Sequence, residues 1–324
     1  MLKEVSRRRF ISTTGAVLPA MAAAAPQRKE PASLQIGFHT GAFNSSSWNF
    51  EQCLDWAQKN GLHSIECGFV DGVVWSHGLG YYPHIASWED PLALRRKMDK
   101  LDISLAQIDA AFPLSRPEGM TLGVEYAVHA IRWAKLFGCP RVDTTDDLKR
   151  PAGMTDREGI EHLRRVYLQI VPVAEAYKVV INIEPHGYFT TKPDFVAEML
   201  AFANSPYLML NLDTGNTFIA GQDPVAFLER FKERVNHLHI KDVSAELAAS
   251  VRGKVTGMAG ASPCAIGTGA NATNIRRCIE ILVANGYNGV LSMECEGQGG
   301  PLIEKSLAWL RETIKTANEA NRRA

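Results

Sequence analysis

The chain has 324 residues, of which 46% are hydrophobic and 22% charged, and its 35 basic and 35 acidic side chains balance to a net charge of zero. This composition is typical of a folded globular protein and excludes a disordered chain, a collagen and a disulfide-dense miniprotein. A neutral chain offers no broad positive surface, so we expect neither nucleic acid nor membrane lipid as a partner. None of the six cysteines forms a CxxC pair, which argues against a structural zinc knot and leaves disulfide pairing open.

The first 30 residues have the pattern of an export signal. Arg7, Arg8 and Arg9 precede a weakly apolar stretch, 11–25, that ends in four alanines suited to a signal peptidase. This pattern resembles a bacterial twin-arginine signal. The apolar stretch is too short to stay in a bilayer. We therefore predict a signal and linker over 1–30, a periplasmic mature protein and a single catalytic domain over 31–324.

From residue 34 onward, short apolar runs alternate with amphipathic stretches. Eight runs predict β-strands, over 34–43, 64–69, 104–112, 141–146, 179–186, 208–213, 235–243 and 290–296. Helices are predicted over 91–101, 122–137, 156–177, 193–203, 223–234, 274–285 and 303–321, most of them after a capping residue or a proline. Eight such repeats predict a (β/α)8 TIM barrel. The alternative, a doubly wound open sheet, lacks its GxGxxG fingerprint after the first strand.

Polar and apolar side chains alternate along these strands. Asn182 and Glu184 alternate with Ile181 and Ile183, for example, and the other strands repeat the pattern. The apolar set must face the helices, so the polar set must point toward the barrel axis. Such an axis is normally filled by branched apolar residues, and buried charges are costly unless they are paired or bound to metal. The polar axis therefore predicts a metal ion or a polar ligand inside the barrel.

Three carboxylates and one imidazole stand at the C-terminal ends of the last four strands. They are Glu184, Asp213, His239 and Glu294, which we call the quartet. Three acids a few ångströms apart would repel one another strongly without a cation between them. Mixed oxygen and nitrogen donors suit Mn²⁺, Co²⁺, Mg²⁺ or Zn²⁺ better than a soft metal. We predict one divalent metal ion held by the quartet, with Mn²⁺ as the first choice.

The sequence around the quartet resembles the xylose-isomerase-like sugar isomerase/epimerase superfamily. The motifs are Glu184-Pro185-His186, Asp213-Thr214-Gly215-Asn216, His237-Leu238-His239-Ile240-Lys241-Asp242 and Ser292-Met293-Glu294. The resemblance implies a (β/α)8 barrel that binds one divalent cation through the quartet and uses both glutamates as acid and base. Asn216 departs from the pattern, because the family often has histidine there. The resemblance extends to an endonuclease for abasic DNA, which the neutral charge and the missing extra histidines disfavour.

The expected chemistry is proton transfer beside a carbonyl. A divalent cation that holds vicinal oxygens of a sugar acidifies the adjacent C–H, and Glu184 and Glu294 could then remove and return the proton through an ene-diolate. We therefore predict a metal-dependent isomerase or epimerase that acts on a sugar or keto-sugar. Two alternatives remain: a lyase or hydrolase that eliminates the aglycone of a 3-keto-glycoside at the same site, and a non-catalytic sugar-binding barrel.

Five further side chains are expected to bind the substrate. These are His39 and Glu66, which end the first two strands, His186 and Lys241, which share the inward parity, and Asn216, three residues after Asp213. His237 lies deeper along its strand and is expected to be an interior histidine, and Asp242 is expected to be structural. Two long connections, 69–90 and 244–271, are candidate covers for the site, and the first is rich in aromatic residues that could stack on sugar rings. The sequence leaves open which sugar is bound, whether it is phosphorylated, and the oligomeric state, a homo-oligomer included.

Overall fold

Eight parallel β-strands close into a ring. The computed structural model describes residues 33–43, 48–70, 83–256, 264–295 and 299–323, so the predicted export signal lies outside the described residues. The ring consists of β1 (Ser33–His39), β2 (Ser64–Val70), β4 (Ser104–Pro113), β5 (Arg141–Thr145), β6 (Val180–Ile183), β7 (Leu208–Asp213), β8 (Val235–Ile240) and β9 (Asn288–Met293). Strand β1 pairs with both β2 and β9 and so closes the ring, while the short β3 (Ile85–Ala86) pairs only with the end of β2. The predicted TIM barrel is confirmed.

Helices connect successive strands and surround the ring. They are α1 (Phe50–Lys59), α2 (Pro91–Asp99), α3 (Leu122–Phe137), α4 (Asp156–Tyr177), α5 (Pro193–Leu200), α6 (Thr214–Ile219), α7 (Pro224–Phe231), α8 (Ala245–Val251), α9 (Ala272–Ala284) and α10 (Pro301–Arg323). Thr155 and Glu158 form a capping box at α4, and prolines open α2, α5 and α7. Among the helices that the structure describes, none is both long and apolar enough to cross a membrane.

Several predicted strands end earlier than the sequence suggested. The runs 34–43, 179–186, 235–243 and 290–296 leave the sheet at His39, Ile183, Ile240 and Met293. The Glu184 and Glu294 amides each make one further hydrogen bond to the neighbouring strand, whereas the residues after His39 turn away from the sheet. The Gly41 amide, for example, donates to His39 Nδ1 at 3.0 Å, and Thr40–Phe43 forms a 3-10 helix. The sequence analysis also missed α1, α6 and α8.

The barrel axis is polar, as the alternation predicts. Ile181 and Ile183 face the helices and are fully buried, while Asn182 points inward. There, Asn182 Nδ2 donates to Gln107 Oε1 at 2.6 Å, and Gln107 Nε2 donates to Glu66 Oε1 at 2.7 Å. A connected chain of hydrogen bonds therefore stabilises polar groups that would be costly to bury singly.

Candidate active site and metal centre

The quartet meets at the C-terminal end of the barrel, which we call the mouth. One ligand atom from each of its four residues lies within 4.8 Å of the others. His239 Nδ1 lies 2.9 Å from Glu184 Oε1 and 3.5 Å from Glu294 Oε2. None of the four side chains is more than 12% exposed. The structure thus brings together all four residues that the sequence placed at strand ends.

The backbone holds both glutamates in place just beyond their strands. The Glu184 amide donates to the Thr144 carbonyl at 2.9 Å, and the Glu294 amide donates to the Ile240 carbonyl at 3.0 Å. Each bond continues the pairing with the neighbouring strand by one step. The two carboxylates are therefore fixed at the mouth by the sheet and not by a loose loop.

Asp213 has two tasks, one for each carboxylate oxygen. Its Oδ1 caps α6 by accepting from the Gly215 and Asn216 amides at 2.6 and 2.8 Å. Its Oδ2 is buried and has no hydrogen-bond donor in the described parts of the chain. Burial, together with the nearby Glu294 carboxylate, raises the pKa of Asp213 well above its ordinary value. The site therefore disfavours this negative charge unless a cation is present.

Lys241 and Asn216 both contact quartet residues. Lys241 Nζ lies 3.2 Å from Asn216 Oδ1 and 3.5 Å from Glu294 Oε2, and Asn216 Nδ2 lies 3.5 Å from Glu184 Oε1. Gly215 makes room for the lysine, because a Cβ there would lie 2.5 Å from Lys241 Cγ. Burial opposes ionisation of Glu294, but Lys241 and His239 outweigh it and lower the pKa of Glu294 well below its ordinary value. Glu294 is therefore held ionised.

The quartet fits a divalent cation. It offers three carboxylates and one imidazole nitrogen, the donor set of Mn²⁺, Co²⁺, Mg²⁺ and Zn²⁺ sites. The buried and unpartnered Asp213 Oδ2 is the group that most needs a positive partner. Glu184, Asp213, His239 and Glu294 would hold the ion.

Glu66 lies beneath His239, away from the mouth. The sequence predicts it as a sugar ligand at a strand end, but β2 continues to Val70 and leaves Glu66 fully buried. Its carboxylate lies 2.9 Å from His239 Nε2, and its Oε2 lies 2.9 Å from His237 Nε2. A proton on His239 Nε2 that is donated to Glu66 leaves the Nδ1 lone pair directed at the quartet. The contacts of Glu66 thus indicate that it orients the His239 ring within the quartet.

Replacing Glu66 by glutamine is expected to weaken Mn²⁺ binding by about 10–100-fold, since it removes the negative charge and one of the two acceptor oxygens that face His239 and His237. Isothermal titration calorimetry of the metal-free protein measures this directly. Glu125→Gln on the exposed face of α3 is the matched control and should bind Mn²⁺ like the wild type. An affinity within twofold of the wild type for Glu66→Gln would contradict the orienting role.

Metal binding should release protons. Burial alone would lower the pKa of His239, but the carboxylates of Glu66 and Glu294 outweigh it and raise this pKa well above its ordinary value. The metal-free site therefore carries a proton that the cation must displace. We expect Mn²⁺ affinity to fall as the pH is lowered from about 8 to about 6, because protons compete with the cation for an imidazole whose pKa is raised. Titrations in buffers of different ionisation enthalpy count the protons released, and a pH-independent affinity would contradict this.

Of the two other histidines predicted to bind substrate, His39 lies beside the quartet, whereas His186 lies in a turn that follows β6. The His39 ring centroid lies 5.9 Å from that of His239, so His39 is beside the site. His186 follows β6 in a turn anchored by Asp146, which accepts from the Phe189 amide and the Thr190 hydroxyl, both at 2.6 Å. Across the described ranges, no hydrogen bond joins His186 to the quartet, and its buried Nδ1 has no partner.

Two aspartates near the mouth, the buried Asp143 and the partly buried Asp109, have no role in the predictions from the sequence. Asp109 in β4 and Asp143 in β5 are paired in register. Burial, reinforced by the Glu184 carboxylate, raises the pKa of both well above the ordinary value. The polar parity of their strands was the available signal. Of the two predicted covers, 71–82 and 257–263 lie outside the described residues.

Most of the sequence matches one known protein family. A sequence profile described as a xylose isomerase-like TIM barrel matches residues 54–313. The chain belongs to this family. The match includes the whole quartet, and it confirms the resemblance on which the expected ligand set and chemistry rest.

Individual relatives of this xylose isomerase-like barrel are distant. The inosose dehydratase of Clostridium botulinum is 26% identical over 103 residues, which are 31% of this chain and 35% of that protein. The chain thus matches about a third of the length of that curated relative. A D-tagatose 3-epimerase-like structure has a TM-score of 0.69 at 18% identity and covers 88% of this chain and 99% of its own. The IOLI protein, solved with a zinc atom, has a TM-score of 0.63 at 18% identity and covers 88% and 95%. These structures share the fold.

Proposed function

We propose that this barrel is a divalent-metal-dependent isomerase or epimerase that acts on a sugar or keto-sugar. One observation carries the proposal: Glu184 and Glu294, from different strands, converge on the same imidazole nitrogen, His239 Nδ1, inside a buried mouth. Two carboxylates at one site can remove a proton from one position and return it at another. The D-tagatose 3-epimerase-like neighbour supports a carbohydrate as the substrate class.

In this proposal the quartet and Lys241 have distinct roles. The quartet would hold a divalent cation, Mn²⁺ by preference, which would supply Lewis-acid polarisation of the substrate carbonyl and so make the neighbouring C–H more acidic. Glu184 turns Oε1 and Glu294 turns Oε2 toward His239, which leaves the other oxygen of each carboxylate to exchange a proton with the substrate. One glutamate takes the proton from carbon and the other returns it, through an ene-diolate. Lys241 keeps Glu294 ionised and therefore competent as a base.

A second candidate is elimination from a 3-keto-glycoside or a related keto-polyol. The similarity to an inosose dehydratase favours it, because a dehydratase can start from the same proton removal. The C–H bond would break, a C=C bond would form, and the C–O bond to the aglycone or hydroxyl would break as that oxygen takes up a proton. Lys241 Nζ, 3.5 Å from Glu294 Oε2, is placed to assist this protonation.

One NMR experiment separates these reactions. The Mn²⁺-loaded protein is incubated in D₂O with D-tagatose, L-ribulose, an inosose and a 3-keto-glucoside. Deuterium beside the carbonyl in a product that keeps all its C–O bonds supports the isomerase or epimerase. Loss of water or aglycone supports elimination. Absence of both exchange and product with every compound would contradict both candidates.

We also propose that residues 1–30 direct export and that the mature enzyme works in the periplasm. The twin arginine and the alanines at 22–25 support this. N-terminal sequencing of the protein from a periplasmic fraction should show cleavage near Ala25. Retention of the signal in the cytoplasm would contradict the proposal.

A further inference from the structure

Two side chains face each other at the mouth without touching. His39 ends β1 and Asp109 lies in β4, and these strands flank β2 on either side. His39 Nε2 and Asp109 Oδ2 are 4.0 Å apart, and their side chains are 6% and 14% exposed. This separation is too long for a hydrogen bond and leaves a gap between two polar atoms beside the quartet.

The His39 side of the gap is a hydrogen-bond donor. The Gly41 amide donates to His39 Nδ1 at 3.0 Å, so Nδ1 is the acceptor and the ring proton lies on Nε2. Nε2 is buried, and nothing in the described parts of the chain accepts a hydrogen bond from it. An unpartnered buried donor costs free energy, so this N–H is suited to an incoming ligand.

The Asp109 side of the gap is a carboxyl group, which keeps an acceptor oxygen whether or not it is ionised. Asp143, its neighbour in register, is fully buried, and neither of its carboxylate oxygens has a hydrogen-bond partner among the described residues. Within the same residues, no lysine or arginine forms an ion pair with either aspartate. This wall of the mouth is therefore rich in acceptors and adverse to anions.

A donor and an acceptor 4.0 Å apart suit a group that does both. We propose that His39 Nε2 and Asp109 Oδ2 form a hydroxyl subsite, and that the substrate is accordingly an uncharged polyhydroxylated compound and not a phosphate ester. The hydroxyl oxygen accepts from His39 while its proton is donated to Asp109. A phosphate or carboxylate oxygen without a proton can accept but cannot donate, and it would add negative charge beside two carboxyl groups that have no lysine or arginine partner among the described residues. The inference rests on the proposed sugar chemistry and narrows its substrate class.

The sequence beyond the described residues agrees with this charge preference. The stretches 44–47, 71–82, 257–263 and 296–298 follow strands β1, β2, β8 and β9 along the chain. They contain no lysine or arginine. Lys241, the lysine at the quartet, already contacts Glu294 and Asn216. No phosphate-binding set of cations is therefore available from these segments.

The test is binding, measured apart from turnover. Isothermal titration calorimetry with the Mn²⁺-loaded protein compares D-tagatose with D-tagatose 6-phosphate. The wild type should bind the free sugar at least about tenfold more tightly than the ester. Asp109→Ala and His39→Ala, which remove the acceptor and the donor, should each weaken free-sugar binding by about 10–100-fold, and the double variant should lose little more, since both act on one hydroxyl. Asp99→Ala on exposed α2 is the control and should bind like the wild type.

Tighter binding of the phosphate ester by the wild type, or free-sugar affinity within twofold of the wild type in both single variants, would overturn the subsite. Circular dichroism checks the fold, and His39→Ala decides the matter if Asp109→Ala does not fold. Binding that follows the expected pattern without any turnover would contradict the proposed reaction and leave the subsite standing. Turnover by the wild type, with unaltered sugar binding in the variants, would support the proposed reaction and contradict the subsite.

Discussion

Glu294→Gln is expected to lower kcat by at least about 10²–10⁴-fold while the barrel still folds, because the substitution removes a proton-transfer group without changing the size of the side chain. The loss should exceed that of a simple metal ligand, since Glu294 is assigned both tasks. The Lys241 ammonium should not rescue the variant, because its role is to keep the Glu294 carboxylate ionised. Turnover of the substrate found by NMR, with the melting temperature and bound metal measured in parallel, checks this.

The matched control is Glu304→Gln, the same change at an exposed position of α10. It should leave kcat unchanged. The conservative variant Glu294→Asp keeps the charge but withdraws the carboxylate, so it should recover part of the metal affinity and little of the rate. Near-normal activity of Glu294→Gln with a full complement of metal would remove Glu294 from the mechanism.

The meeting of the quartet could be predicted from the sequence because two simple periodicities determine it. A strand alternates its side chains with a period of two, which separates Asn211 and Asp213 from Leu210 and Leu212. Parallel strands in a barrel all end at the same side, so residues at strand ends converge there even when they are far apart in sequence. These two rules predict that the four side chains meet without any knowledge of which residues touch.

Partners across the barrel axis could not be predicted in this way. Glu66 and His237 are separated by 171 positions, and their contact depends on the register of every strand between them. The alternation shows that both point inward, but it does not show which inward groups touch. For this reason Glu66 is expected from the sequence to bind substrate, whereas the structure shows it bonded to two histidines.

Strand ends were also beyond the sequence pattern. The predicted runs extend past His39 and Ile240 to residues 43 and 243, although the strands end at His39 and Ile240. That Asp213 both caps α6 and belongs to the quartet could not be predicted for a related reason. A short helix of six residues, α6, begins directly after β7, and its cap is the same carboxylate that the quartet needs. Local signals for a helix start and for a metal ligand thus coincide at one residue.

Removal of the metal is expected to abolish turnover, and Mn²⁺ or Co²⁺ should restore it, because the quartet gathers three carboxylates whose repulsion needs a cation. The protein is dialysed against EDTA until elemental analysis shows that the metal is gone. Single metals are then added back, and turnover is measured at each stage. Unchanged turnover in fully stripped protein would count against both proposed reactions.

Asp213→Asn tests the same site without a chelator. Asparagine caps a helix about as well as aspartate, so α6 should keep its cap, while the site loses one of its three negative charges. The metal-free variant should therefore melt at or above the temperature of the metal-free wild type. It should also lose most of the Mn²⁺-induced stabilisation, which for the wild type amounts to about 2.7 kcal/mol at a metal concentration of about 100 times Kd.

Asp213→Ala separates the two tasks of this carboxylate. Alanine loses the cap as well as the charge, so the metal-free protein should be about 0.5–2 kcal/mol less stable than the Asn variant. Both variants should bind Mn²⁺ weakly, because both lack the oxygen that the described protein leaves without a donor. If Asp213→Asn instead showed the full wild-type rise in melting temperature with Mn²⁺, Asp213 would be a helix cap and not a metal ligand, and the site would reduce to two glutamates and a histidine.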